Sequence, residues 1–294
     1  MGTMTRPLVV GVDGSEDSFR ALDWAVDEAA RHQLPLRLVY ASRWERYEEA
    51  SLTLSLKRPA GKVLADNIIG AASERADLRD AEVTVSTQVL GDDPETVLLR
   101  EADDAWAVTV GSRGRGAFTG LLLGSVGLAV AARARCPVIV VRGDKAGLAG
   151  THERVLLGVG DADQGSEAAR FAFHEAAVRG CVLDAVRAWR SPSVETTDHP
   201  LLAGSPERYH EDRASAVLDE VLEKAAAEYP AVRVRRVTAE GAAHKLLVRR
   251  SAAADLLVLG AQRRDSRLGL QLGRVAHSAL HHAECPVAVV PRAA

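Results

Sequence analysis

Leu8-Val9-Val10-Gly11-Val12-Asp13 is repeated 147 residues later by Val155-Leu156-Leu157-Gly158-Val159-Gly160. A continuous apolar run of this kind is what a strand covered by helices on both faces looks like. The repeat continues outward. Trp24-Ala25-Val26-Asp27-Glu28-Ala29-Ala30 is matched at the same spacing of 147 by Phe171-Ala172-Phe173-His174-Glu175-Ala176-Ala177. The far ends match as well, Cys136-Pro137-Val138-Ile139-Val140-Val141 against Cys285-Pro286-Val287-Ala288-Val289-Val290, now at spacing 149. Two residues of drift over a whole copy mark two homologous domains rather than a short motif used twice. The expected domains are 5–143 and 152–294, joined by a linker at 143–152.

Within each copy, strand and helix patterns alternate. In the first, strands are expected near 8–12, 36–41, 82–88, 106–111 and 137–142, with helices near 16–32, 60–75, 93–103 and 124–134. The second copy predicts strands near 155–159, 183–189, 231–238, 255–260 and 286–290. The third strand, Glu82-Val83-Thr84-Val85-Ser86-Thr87, alternates as a half-exposed edge strand does. Helix starts carry caps: Ser15 or Asp17 for the first, and Asp93 followed by Pro94 at the first helical position for another. Alternating β and α elements over such a length predict an α/β fold, a doubly wound parallel sheet with helices on both faces, in each copy.

Composition removes several classes of function. The 294 residues are 47% hydrophobic and 26% charged, ordinary for a globular protein. The formal net charge of −3 gives no basic field for nucleic acid. The most apolar stretch, residues 121–123 and 126–132, is interrupted by Gly124 and Ser125 and falls short of the roughly 20 residues of a membrane-spanning helix. Met1-Gly2-Thr3-Met4-Thr5-Arg6 has no apolar core of a secretory signal. Three cysteines, Cys136, Cys181 and Cys285, make no disulfide framework. The chain is therefore expected in the cytoplasm, without a membrane or nucleic-acid partner.

In doubly wound sheets, ligands bind beyond the carboxyl ends of the strands at the switch point. Asp13-Gly14-Ser15 follows the first strand. Gly111-Ser112-Arg113-Gly114 follows the fourth, and nine residues later Gly124-Ser125-Val126 opens the last helix of the copy. Gly111 and Gly114 let the backbone approach a ligand with no Cβ in the way. The start of the helix at Gly124, Ser125 and Val126 favours a phosphate through its N–H groups and dipole. Asp13 can accept hydrogen bonds from a ribose or base edge, and Arg113 and Arg115 bring positive charge towards phosphates.

The pattern Gly-x2-Gly-x9-Gly-Ser, with Gly-Val-Asp-Gly-Ser after the first strand, resembles the universal stress protein family, and the resemblance spans both halves, about 8–142 and 155–291. It implies adenine-nucleotide-binding domains of five parallel strands in the order 3-2-1-4-5, paired within the chain through their fifth strands, and ATP, with or without Mg²⁺, as cofactor. Carried over, Asp13 contacts the adenosine part. The backbone around Val39, Tyr40 and Ala41 meets adenine, Gly111 and Gly114 line ribose and phosphates, and Gly124, Ser125 and Val126 hold the phosphates. The function so implied is that of a nucleotide-binding stress-response regulator. A slow ATP-hydrolysing enzyme and a nucleotide-free interaction scaffold stand as alternatives. The apolar fifth-strand edges, Val138–Val141 and Val287–Val290, are expected to be covered by pairing of the two domains within the chain, and a homodimer is a further pairing compatible with that.

The second copy departs from the pattern. Arg263 stands in place of the second glycine, Arg274 in place of the serine and Gly160 in place of Asp13, while Gly260 and Gly273 survive. Nucleotide binding is therefore expected mainly in the first copy. Two further readings are set aside. His277, His281, His282 and Cys285 lack a carboxylate to complete a metal set. No Walker loop, nucleophile elbow or metal-binding carboxylate pair marks a catalytic centre.

Overall fold

The apolar runs become the central strands of two α/β units. The computed structural model describes residues 5–42, 60–114, 123–190, 206–261 and 272–292. The chain divides into two units, residues 1–142 and 143–294. The first contains β1 (Leu8–Gly11), α1 (Glu16–His32), β2 (Leu36–Ala41), α2 (Ala60–Arg79), β3 (Val85–Leu90), α3 (Pro94–Glu101), β4 (Ala107–Gly111), α4 (Ser125–Arg133) and β5 (Val138–Val141). Every pairing in its sheet is parallel. β1 lies between β2 and β4, β3 extends beyond β2, and β5 lies beside β4.

Leu8, Val9, Leu36, Leu38, Ala107, Val108 and Ile139 are completely shielded from solvent. These strands carry apolar side chains on both faces because helices cover both faces. β3 has no fully buried residue, as its place at the end of the unit's sheet requires. It starts at Val85 rather than at Glu82, because Asp80 ends α2 in a turn, its Oδ1 accepting from the Glu82 N–H at 3.0 Å.

The second unit repeats the plan with α5 (Lys145–Ala149), β6 (Arg154–Gly158), α6 (Ala162–Arg179), β7 (Val182–Trp189), α7 (Pro206–Glu228), β8 (Val234–Glu240), α8 (Ala243–Ser251), β9 (Leu256–Gly260), α9 (Arg274–His282) and β10 (Val287–Val290). Its parallel pairings are β6 with β7 and β9, β7 with β8, and β9 with β10. β8 begins three residues later than expected, as β3 does. The stretch expected to link the copies contains α5, capped by the Asp144 carboxylate, which accepts from the Gly147 N–H at 2.9 Å. Among the described residues Phe173 is the largest fully buried side chain. Among the described residues no helix is long and apolar enough to cross a membrane.

All three cysteines are buried and none is in a disulfide. Burial pushes the Cys136 thiol up to about 12, so at neutral pH it is not a thiolate. Native protein is therefore expected to leave Cys136 unlabelled by iodoacetamide at pH 8 over the time in which the urea-unfolded chain is fully alkylated. Peptide mass spectrometry reads the difference, and rapid native labelling contradicts this account.

Candidate functional site

The first unit encloses a cavity of about 500 Å³ at the carboxyl ends of β1, β2 and β4. That volume lies in the range of pockets that hold small organic ligands, ~300–1,000 Å³. It also sits where the chain leaves β1 for β2 on one side and β4 for β5 on the other, the switch point of the winding. Asp13, Val39, Ala41, Gly111, Arg113, Gly114, Gly124, Ser125 and Val126 all line it. Tyr40 does not line it. Successive strand residues face opposite sides of a sheet, so Val39 and Ala41 reach the cavity and Tyr40 is buried on the other face.

Asp13 ends the β1 turn. Its Oδ1 accepts from the Ser15 N–H at 2.9 Å, and its backbone N–H donates to Ser18 Oγ at 3.4 Å. Its other carboxylate oxygen lies beside Gly114, where an added Cβ would stand 2.6 Å from it. Gly114 therefore makes room for the Asp13 carboxylate. Gly111 has a different role. A Cβ there would lie 2.6 Å from the Asp17 carbonyl oxygen, so the close packing of β4 against the first turn of α1 by itself requires a glycine at this place in the cavity wall.

Gly124 caps α4 with extended backbone, and its N–H donates to the Ser112 carbonyl at 2.8 Å. Among the described residues no side chain caps this helix, so its leading N–H groups stand at the cavity without a side-chain acceptor. That is the arrangement that attracts an anion. A Cβ on Gly124 would meet nothing nearer than 3.7 Å, so packing within the protein does not demand glycine there. The cavity's apolar wall comes from Val12, Leu98, Val110 and Leu123.

Sequence reasoning missed that wall, although one signal was available. Leu98 and Leu247 occupy matching positions, 149 residues apart, and both line the cavity of their own unit. It also treated Asp17 as a candidate helix cap. Ser15 is the cap, its Oγ accepting from the Ser18 N–H at 3.2 Å. Asp17 is instead buried, and its Oδ2 accepts from Ser112 Oγ at 2.9 Å and from Arg113 Nε at 3.0 Å, while Arg20 pairs with Oδ1. Arg115 lies outside the described residues.

Burial pushes the Asp17 carboxyl up, but the hydrogen bonds from Ser112 and Arg113 and the charges of Arg20 and Arg113 outweigh it and hold it below its usual range. A carboxyl depressed in the fold stabilises above its unfolded pKa, and this contribution is lost as pH falls through the folded value. Asp17→Asn is therefore expected to destabilise most at neutral pH, with the gap to the parent narrowing below about pH 4. Urea unfolding at a series of pH values checks this; a gap that stays constant into acid contradicts it.

The second unit has a cavity of about 560 Å³ at the matching place, which Gly260 and Gly273 line. Its chemistry differs. Gly160 replaces the carboxylate of Asp13, and Arg274 takes the first position of α9. Asp161, one position on, is drawn to Arg187, whose guanidinium donates to its Oδ1 at 3.2 Å and also to the Gly160 carbonyl. Arg263 lies outside the described residues. On α9, His277 and His281 stack with ring centres 4.5 Å apart.

The model of the universal stress protein family matches residues 4–142 and again 151–291. A universal stress protein of Mycobacterium tuberculosis is 33% identical over 288 residues, covering 96% of each chain. A second from the same organism is 29% identical over 294 residues, covering 98% of this chain and 97% of that one. The crystal structure of a universal stress protein from Archaeoglobus fulgidus superposes with a TM-score of 0.62 at 19% identity, covering 98% of this chain and 99% of the other, which shows the shared fold. With its two family matches, its repeated α/β units and relatives similar along their whole length, the chain belongs to the universal stress protein family as a tandem, two-copy member.

Proposed function

We propose that the first unit binds ATP and that the protein acts as a nucleotide-dependent regulator or sensor rather than as a fast enzyme. The observation that carries this reading is the convergence of the nine motif residues, from four separate stretches of chain, on one cavity. The chemistry is divided as a nucleotide needs. Val39, Ala41 and Leu98 offer an apolar wall to a base. Asp13 offers an acceptor to ribose hydroxyls, and the start of α4 offers N–H groups to phosphates. Asp13 is the single carboxylate lining the cavity among the described residues, and it is assigned to the ribose, so no carboxylate pair suited to Mg²⁺ stands there, which favours binding over turnover. The second unit lacks the Asp13 equivalent and carries Arg274 for Ser125, so nucleotide is assigned mainly to the first.

The test is mass spectrometry of small molecules released from purified protein, with a thermal-shift titration against ATP. One equivalent of adenine nucleotide per chain is the expected result. Two equivalents contradict the assignment to the first unit, and no nucleotide with no thermal shift contradicts the reading as a whole.

A further inference from the structure

Asp17 lies behind the cavity wall, yet its side chain holds the two residues between the glycines of the phosphate motif. Its carboxylate accepts from the Ser112 hydroxyl and from Arg113 Nε, and its side chain is only 9% exposed against 56% for Arg113. Ser15 Oγ adds a bond to the Arg113 carbonyl at 3.4 Å, so the segment after β4 is tied to the first turn of α1 at consecutive residues. Arg113 is bound to Asp17 through Nε. Among the described residues its two terminal nitrogens have no partner, and the residue lines the cavity.

The second copy has lost this whole arrangement at once. Gln164 stands at the position of Asp17, Glu167 at that of Arg20, Ala261 at that of Ser112 and Gln262 at that of Arg113. Four interacting positions have changed together in the copy whose nucleotide motif is also degenerate. A bond network that served only the packing of α1 on β4 has no reason to disappear with the motif, because that packing is required in both copies.

We propose that Asp17 is a positioning residue for the phosphate end of the ligand: it fixes Arg113 by Nε, so that the terminal guanidinium nitrogens stand ready for the phosphate chain. This rests on the nucleotide reading above. A guanidinium held by one edge keeps its other donors oriented, so less rotamer entropy is lost when a phosphate binds. Asp17 thereby sets how strongly the site prefers a nucleoside triphosphate over the nucleoside. The opposite arrangement, in which Asp17 withholds Arg113 from the ligand, predicts the opposite sign.

The experiment is calorimetric titration of the full-length chain with ATP and with adenosine, for the parent, Asp17→Asn, Arg113→Gln and the double variant. Asp17→Asn is expected to lose roughly tenfold or more in ATP affinity and to stay within about twofold for adenosine. Arg113→Gln is expected to do the same, and the double variant to bind ATP no more weakly than Arg113→Gln alone, because one residue acts through the other. Equal losses for both ligands, tighter ATP binding by Asp17→Asn, or additive losses in the double variant overturn the proposal. Should Asp17→Asn fail to fold, Arg113→Gln, which alters a half-exposed side chain, carries the test, and unchanged selectivity there overturns the proposal equally. A parent that binds neither ligand removes the nucleotide reading and this inference together. A parent that binds ATP, with variants of unchanged selectivity, removes this inference alone.

Discussion

Gly111→Ala is expected to destabilise the first unit by about 3 kcal/mol, at the upper end of what one added methyl does in a packed interior. The new Cβ would lie 2.6 Å from the Asp17 carbonyl oxygen, 2.7 Å from its carbonyl carbon and 3.0 Å from the Ser18 nitrogen. All three are backbone atoms, so no rotamer change relieves the overlap and the start of α1 must move away from β4. That movement also pulls Asp17 from Ser112 and Arg113 and loosens the Ser15 cap. Urea unfolding followed by circular dichroism measures the change. Gly70→Ala is the control. It lies within α2 with nothing within 4 Å of an added Cβ, and is expected to gain about 0.5–1 kcal/mol from the helix preference of alanine. A loss below about 1 kcal/mol at residue 111 shows that α1 can yield there at little cost.

Gly114→Arg, which copies into the first unit the residue found at Arg263, is expected to remove nucleotide binding while leaving the fold intact. The added Cβ would stand 2.6 Å from Asp13 Oδ2, and among the described residues the next atom, Asp13 Cγ, lies 3.7 Å away. The clash is with the end of a half-exposed side chain, so the fold gives way easily and the ligand site does not. Asp13 must swing aside, and the new guanidinium competes for its carboxylate. Loss of a hydrogen bond to a charged group at the ribose end, together with obstruction of the phosphate end, is expected to weaken ATP by about a hundredfold. Released nucleotide falls to a trace, and the unfolding midpoint in urea shifts little. A variant that retains its nucleotide shows that Asp13 does not serve the ligand.

The contact between residues 13 and 114 also explains why the second copy departs at both places. Asp13 and Gly114 are complementary, one supplying a carboxylate and the other the space for it. The second copy carries Gly160 and Arg263 instead, having lost both members of the pair. Putting Asp13→Gly into the Gly114→Arg background is therefore expected to relieve the overlap without restoring ATP affinity.

The sequence by itself determined the two-copy organisation, the α/β class and the places of the strands and of most helices. These follow from local features: apolar runs, the constant spacing between copies, and caps such as Asp93 with Pro94. It also placed Asp13, Gly111, Gly114 and Gly124 at strand ends and helix starts, where winding of the sheet brings them to one cavity. Tertiary structure alone decided how each residue is used there. Gly111 is required by the backbone of α1 and Gly114 by a side chain, and sequence makes the two glycines look alike. Leu98 and Leu123 reach the cavity only because α3 and α4 start beside it. Tyr40 leaves it because β2 alternates. Asp17, which local rules make a helix cap, becomes the buried anchor of Arg113 because β4 brings Ser112 and Arg113 across 95 and 96 residues of chain to meet it. Periodicity and capping act within a few residues, whereas the charge and space around a buried group are set by whatever the fold packs against it.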